Sequence, residues 1–260
     1  MNLPLELRAG LSSIDRWVIG LGLAAVCALA WIFMAWQAST MMDRGAMDGM
    51  NMAAGWRVVD ATLIYLMWVV MMAAMMVPAT SPMIIAFATI NRRRRQSGSP
   101  HVGTAVFLLG YLLAWSLFSA VATGLHWMFE SAGWLSPMME SASPVLSATL
   151  FGAAGLYQWT PLKDICLNRC RTPIGFVLTE WRDGSLGAVI MGLRHGLFCI
   201  GCCAALMGLL FAVAVMDLRW VALVAVLVSI EKLMPWPRLW RHLIGVGLLA
   251  TAVGYACGWL

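Results

Sequence analysis

Charge is what this chain has least of. Only 11% of its 260 residues are Asp, Glu, Lys or Arg, against about 25% in an ordinary soluble chain. That scarcity excludes a water-facing globular surface over most of the length. No base-stacking motif or basic groove pattern accompanies the net charge of +5, so no nucleic-acid partner is expected. The ATP-binding domain of a pump is missing, and so is a paired acidic relay for proton coupling. No repeat, extended linker or soluble segment interrupts the sequence, and a single membrane domain over 1–260 is expected. No small-residue cleavage site follows the apolar stretch 17–36, which therefore reads as a first span and not as a signal peptide.

What the chain has instead is apolar surface. Hydrophobic residues make up 62% of it and mean hydropathy is +0.82, above the roughly 45–50% of soluble domains. With lipid as the solvent, every backbone polar group must be satisfied internally, which selects helices. The fold class expected is all-α, a polytopic transmembrane bundle of about seven spans of about 20 residues each. The apolar runs place them near 17–36, 58–78, 102–129, 144–160, 187–216, 221–236 and 243–260. Basic residues then set orientation. Arg8, Arg16, Arg92, Arg93, Arg94, Arg95, Lys163, Arg169, Arg171, Arg182, Arg238 and Arg241 fall in one set of loops, and only Arg44, Arg57 and Arg219 in the other. The N-terminus is expected in the cytoplasm and the C-terminus outside. Trp56, Trp127, Trp134, Trp220 and Trp259 suit an interfacial belt.

Seven cysteines are an odd number, and five fall in two clusters, a pattern of metal ligands or redox centres more than of a disulfide framework. Cys27 and Cys257 stand alone and read as small core hydrophobes. In the fifth span, Met191, His195, Cys199 and Cys202 fall within a sector about 80° wide at 100° per residue, with Cys203 beside it. Imidazole and thiolate are the ligands that zinc, copper and iron–sulfur centres select. One straight helix does not usually offer four tetrahedral positions, so partners are needed. Cys166 and Cys170 are an i, i+4 pair in the loop 161–186, if Pro161 opens a helix there and Pro173 ends it. Glu231 and Lys232 are charges inside the sixth span, where each costs about 2.5–3.5 kcal/mol and faces protein. Glu231 is a further ligand candidate, or a partner for His195, Lys232 or Arg194. The metal candidates are thus His195, Cys199, Cys202, Cys203, Cys166, Cys170 and Glu231. His101, His126 and His242 lie near span ends, where interfacial histidine is ordinary.

Methionine supplies a second donor set. Met41, Met42, Met47, Met50 and Met52 crowd the loop 37–57, where thioethers would collect Cu(I) without titrating or forming disulfides. Met67, Met71 and Met75 repeat every four residues along the second span with Met72 and Met76 beside them, and there adaptable packing is the favoured reading. The methionines favour copper over zinc as the bound ion. Pro78 and Pro82 are expected to kink or end the second span. Gly152 with Gly155, and Gly245 with Gly247 and Gly254, are expected to let helices approach closely.

The elements Met67–Trp68, Met71–Met76 with Pro78, Tyr157–Gln158, Pro161–Lys163, Cys166, Cys170–Arg171, Pro173, Gly192, His195–Gly196, Cys199, Gly201–Cys203, Leu206–Met207 and Glu231–Lys232 resemble a bacterial family of predicted metal-binding integral membrane proteins, a domain of unknown function. The resemblance covers roughly 55–240, and the two cysteine clusters are specific to it. Ala204 departs from it where an aromatic residue would follow the double cysteine. The resemblance implies the bacterial inner membrane and metal binding, and implies no reaction. Three functions follow: a copper-handling carrier, sensor or transport-related protein; a subunit of a larger membrane metalloenzyme complex, with membrane-protein partner subunits; or a thiol–disulfide or quinone-linked oxidoreductase using Cys199 and Cys202.

Overall fold

The computed structural model describes residues 13–47, 58–96, 102–135, 143–213, 215 and 217–259. Among them it forms nine α-helices: α1 (Ser13–Met47), α2 (Val58–Gln96), α3 (Thr104–Ser131), α4 (Pro144–Tyr157), α5 (Pro161–Arg171), α6 (Pro173–Thr179), α7 (Gly184–Gly208, extended by a 3₁₀ turn Leu209–Phe211), α8 (Leu218–Leu233) and α9 (Pro237–Ala256). Among the described residues, four helical stretches are long and apolar enough to cross a membrane: Val58–Arg94, Thr104–Ser131, Gly184–Phe211 and Pro237–Ala256. Gly20–Trp36 and Pro144–Tyr157 are apolar but shorter.

Helix α3 is apolar on both of its faces. One face, Phe107, Tyr111, Ala114, Trp115, Ala122 and Phe129, is buried. The opposite face, Leu109, Leu113, Leu117, Val121 and Leu125, is exposed and equally apolar. A soluble helix would carry polar residues there. A stripe of exposed leucines at every fourth position is a pattern suited to a lipid-facing surface.

α7 runs through the middle, packed against α3 and α5, while α4 packs on α9 and α1 on α2. The α3–α7 crossing is backbone on backbone. A Cβ at Gly110 would collide with the Val189 carbonyl, and one at Gly192 with the Phe107 carbonyl. The α4–α9 crossing uses Gly155, where a Cβ would sit 2.9 Å from Leu249, and Gly245, where one would sit 2.8 Å from the Trp159 ring. Gly247, expected at such a contact, faces open space, and Gly152 has only ordinary van der Waals room to its neighbour.

Several boundaries differ from expectation. α2 continues through Pro78 and Pro82 for 39 residues, about 58 Å at 1.5 Å per residue and nearly twice the hydrocarbon thickness. Each proline removes one N–H, the donor to the carbonyl four residues back, and the helix runs on past both. The loop expected from residue 37 begins later, because α1 stays helical to Met47. The side chains of Met41, Met42 and Met47, and all of Met50, Met52 and His101, lie outside the described residues.

The loop 161–186 is two helices. Pro161 opens α5, with the Thr160 hydroxyl accepting from the Lys163 N–H at 3.3 Å. Lys163, Cys166 and Leu167 are buried and Cys170 half-buried, the i, i+3, i+4, i+7 stripe of an amphipathic helix.

Candidate metal centre

The cluster forms where α2, α3, α5, α7 and α8 meet. Cys199, Cys202 and Cys203 lie on consecutive turns of α7 and are at most 1% exposed. Each points at a different neighbour. The Cys202 Sγ is 3.9 Å from the Cys170 Sγ on α5. The Cys203 Sγ is 3.9 Å from the Met76 Sδ on α2. The Cys199 Sγ takes a hydrogen bond from the Lys232 Nζ on α8 at 2.8 Å and lies 3.1 Å from the Tyr111 hydroxyl on α3. The thiols of Cys202 and Cys203 are held by the Cys199 carbonyl, at 3.1 and 2.8 Å.

These sulfur spacings are chemically informative. Tetrahedral bonds of about 2.3 Å from a metal to each sulfur put the sulfurs about 3.8 Å apart. Two independent pairs therefore already stand at the edge length of a metal–sulfur tetrahedron. Among the described residues no three Cys, His, Asp or Glu side chains are placed to hold an ion together. The donors come in pairs, and the thioether of Met76 belongs to one of them.

α5 is positioned on α7 by close approach and charge. A Cβ on Gly201 would lie 2.6 Å from the Cys166 Sγ, so glycine lets that thiol rest on the α7 backbone, and the Tyr157 hydroxyl donates to the Gly201 carbonyl on the same turn. Lys163, 0% exposed, donates to both carboxylate oxygens of Glu231 at 2.9 and 2.8 Å. The Arg171 guanidinium donates to the carbonyls of Glu231 and Met234, the latter at 2.7 Å, closing the C-terminus of α8, where cations are favoured. Burial lowers the Arg171 pKa. On α5 burial pushes the Cys166 thiol up, helped by the neighbouring Cys202 charge. Cys170 is pushed well up by its hydrogen bonds to Cys199 and Cys202.

The residues singled out from sequence do not all meet. Cys170, Cys199, Cys202 and Cys203 converge, and Cys166 lies one helical turn away against Gly201. Glu231 spends both oxygens on Lys163 and not on His195, Lys232 or Arg194. Adjacent residues on a helix point about 100° apart, so Glu231 turns to α5 and Lys232 to the thiols. His195 is buried one turn before Cys199, yet its Nε2 faces the Thr80 hydroxyl at 3.0 Å and its ring lies among Tyr111, Phe107 and Phe176. Met191 accepts from the Arg182 N–H through its sulfur.

Tyr111, Lys163 and Thr80 were not anticipated. Tyr111 had a signal, being a lone phenol in an apolar run, where a hydroxyl needs a partner. Lys163 sits at the start of the buried stripe of α5, where a charge must be paired.

No curated protein and no solved structure matches the chain. Residues 65–255 match the family model described as "PpoB2: Copper chaperone", a stretch that holds every residue of the cluster just described. The chain belongs to this copper chaperone family.

Proposed function

We propose that this protein is a membrane-embedded copper chaperone that carries Cu(I), its cargo, on Cys170, Cys199, Cys202 and Cys203 with the thioether of Met76. The observation that carries the reading is the convergence of buried sulfur from three helices at tetrahedral-edge spacing, in a chain of a copper chaperone family. Soft thiolate and thioether donors select Cu(I), and a buried site keeps the ion from water. Cys166 is a reserve thiol one turn away, suited to exchange. His195 and Glu231 hold the scaffold.

In this reading α1, α2, α3, α4, α7, α8 and α9 are the seven spans of a multi-pass bacterial inner-membrane protein with a cytoplasmic N-terminus. The segment from Val58 to Met76 rises about 27 Å, close to the hydrocarbon thickness of about 30 Å. The cluster therefore sits near one face of the bilayer, where α8 also ends. The arginines at 92–95 and those around α5 and α9 mark that face as cytoplasmic. Methionines of 41–52 would collect Cu(I) on the far side.

The test is an anaerobic competition titration of the detergent-purified chain against a chromophoric Cu(I) chelator. The wild type is expected to take one Cu(I) per chain, and Cys199→Ser with Cys202→Ser to lose it. Copper uptake unchanged in that double variant would remove the site. Cysteines that cycle through a disulfide and hold no metal would favour the oxidoreductase reading instead.

A further inference from the structure

Lys232 is a buried cation whose nearest carboxylate neighbour in sequence is already taken. It is 8% exposed, and its ammonium donates at 2.8 Å to the Cys199 sulfur. Glu231, beside it, is fully engaged by Lys163. A buried charge is costly unless an opposite charge meets it. Among the described residues, what Lys232 meets is the sulfur cluster. The Tyr111 hydroxyl lies 3.1 Å from the same sulfur, in a hydrogen bond that either atom could donate.

Charge counting says what that arrangement is matched to. Whatever number of thiols release their protons to solvent on binding, the same set of thiolates carries one more positive charge with Zn(II) than with Cu(I). An ammonium fixed beside the ligands therefore meets one further unit of repulsion from the divalent ion. We propose that Lys232 is the specificity-determining counter-ion of the centre, selecting the monovalent metal over a divalent one by charge balance. Tyr111 positions the Cys199 sulfur for it. Lys232 coordinates no metal; it acts through the ligand it contacts. The inference rests on the copper-carrier reading above and deepens it.

The experiment compares Cu(I) and Zn(II) affinities, by competition with chromophoric chelators, for wild type, Lys232→Met and Lys232→Arg in detergent. A unit charge about 5 Å from the metal at an effective dielectric near 20 is worth about two orders of magnitude in affinity. The expected result is a fall of about ten- to a hundredfold in the Cu(I):Zn(II) affinity ratio for Lys232→Met, with Lys232→Arg close to wild type. Arginine keeps the charge, so its rescue separates charge from packing. Both affinities falling together in Lys232→Met would give Lys232 a purely structural role and overturn the inference, as would an unchanged ratio. Wild-type protein that binds Cu(I) while the ratio ignores Lys232 refutes only this inference. Wild-type protein that binds no Cu(I) refutes the carrier reading and this with it.

Discussion

Removing one partner of the Lys163–Glu231 pair is expected to undock α5 and with it half of the Cys170–Cys202 contact. The pair is nearly water-free, with Lys163 0% and Glu231 1% exposed and both carboxylate oxygens bonded. Lys163→Met leaves the Glu231 carboxylate buried alone, a change that costs about 3–5 kcal/mol. α5 is 11 residues long, too short to be helical by itself in water. Apart from this pair it is held by Leu167, Cys166, Arg171 and an ion pair between Asp164 and Arg241. A loss of that size lowers the docking equilibrium constant by roughly two to three and a half orders of magnitude if docking is the only equilibrium affected. The assay is alkylation of Cys170 and Cys166 in detergent, with a mass-shift reagent, in the Cys27→Ala, Cys257→Ala background. Lys163→Met should expose both thiols, and copper retention should fall with them. The double variant Lys163→Met, Glu231→Leu should return alkylation close to wild type, because replacing a whole buried pair by apolar groups is often neutral. Unaltered alkylation in Lys163→Met, or a double variant as exposed as the single one, would refute the claim that this pair docks α5.

Gly192→Ala should destabilise the protein strongly, since its methyl meets the Phe107 backbone carbonyl; a thermal melt in detergent should drop well beyond the shift from Gly247→Ala, which has open space. Cu(I) affinity should rise with pH. The thiol of Cys170 is pushed up and stays protonated at neutral pH, so metal binding must displace its proton. For each proton displaced the apparent affinity gains up to about tenfold per pH unit, continuing past the usual thiol value near 8.5; a titration series flat between pH 6 and 9 would contradict this. Asp217→Ala should cost about 1 kcal/mol through loss of the α8 cap, where the carboxylate accepts from the Arg219 N–H at 2.9 Å. The Arg219 hydrogen bond lowers the Asp217 pKa, so the charge-dependent part is present above the ordinary carboxylate range and lost only as pH falls below it. The melting difference between wild type and Asp217→Ala should shrink only in acid.

Much of this was legible in the residues and some was not, for physical reasons. The helical class and the pairing of the Cys166–Cys170 segment with the α7 cysteines follow from hydropathy and spacing alone. The role of Glu231 did not, because a charge inside a span announces that it has a partner without saying which. Its partner, Lys163, lies 68 positions away on a helix that is short and only partly apolar. His195 shared the cysteine sector of α7, yet a helical wheel says nothing of tilt or of which neighbour fills the sector, and Thr80 and Tyr111 fill it. Met76 was weighed as packing, and it is fully buried with its sulfur 3.9 Å from that of Cys203, a placement that spacing along α2 alone does not give. The continuation of α2 through Pro78 and Pro82 was not legible either, because a proline removes one donor and leaves the remaining bonds of a long helix in place.

X-ray absorption at the copper edge of the Cu(I)-loaded chain tests the central claim most directly. The account predicts a first shell of sulfur alone, lost together with the copper in Cys170→Ser, Cys199→Ser, Cys202→Ser. An imidazole nitrogen in that shell, or copper kept by the triple variant, would contradict it.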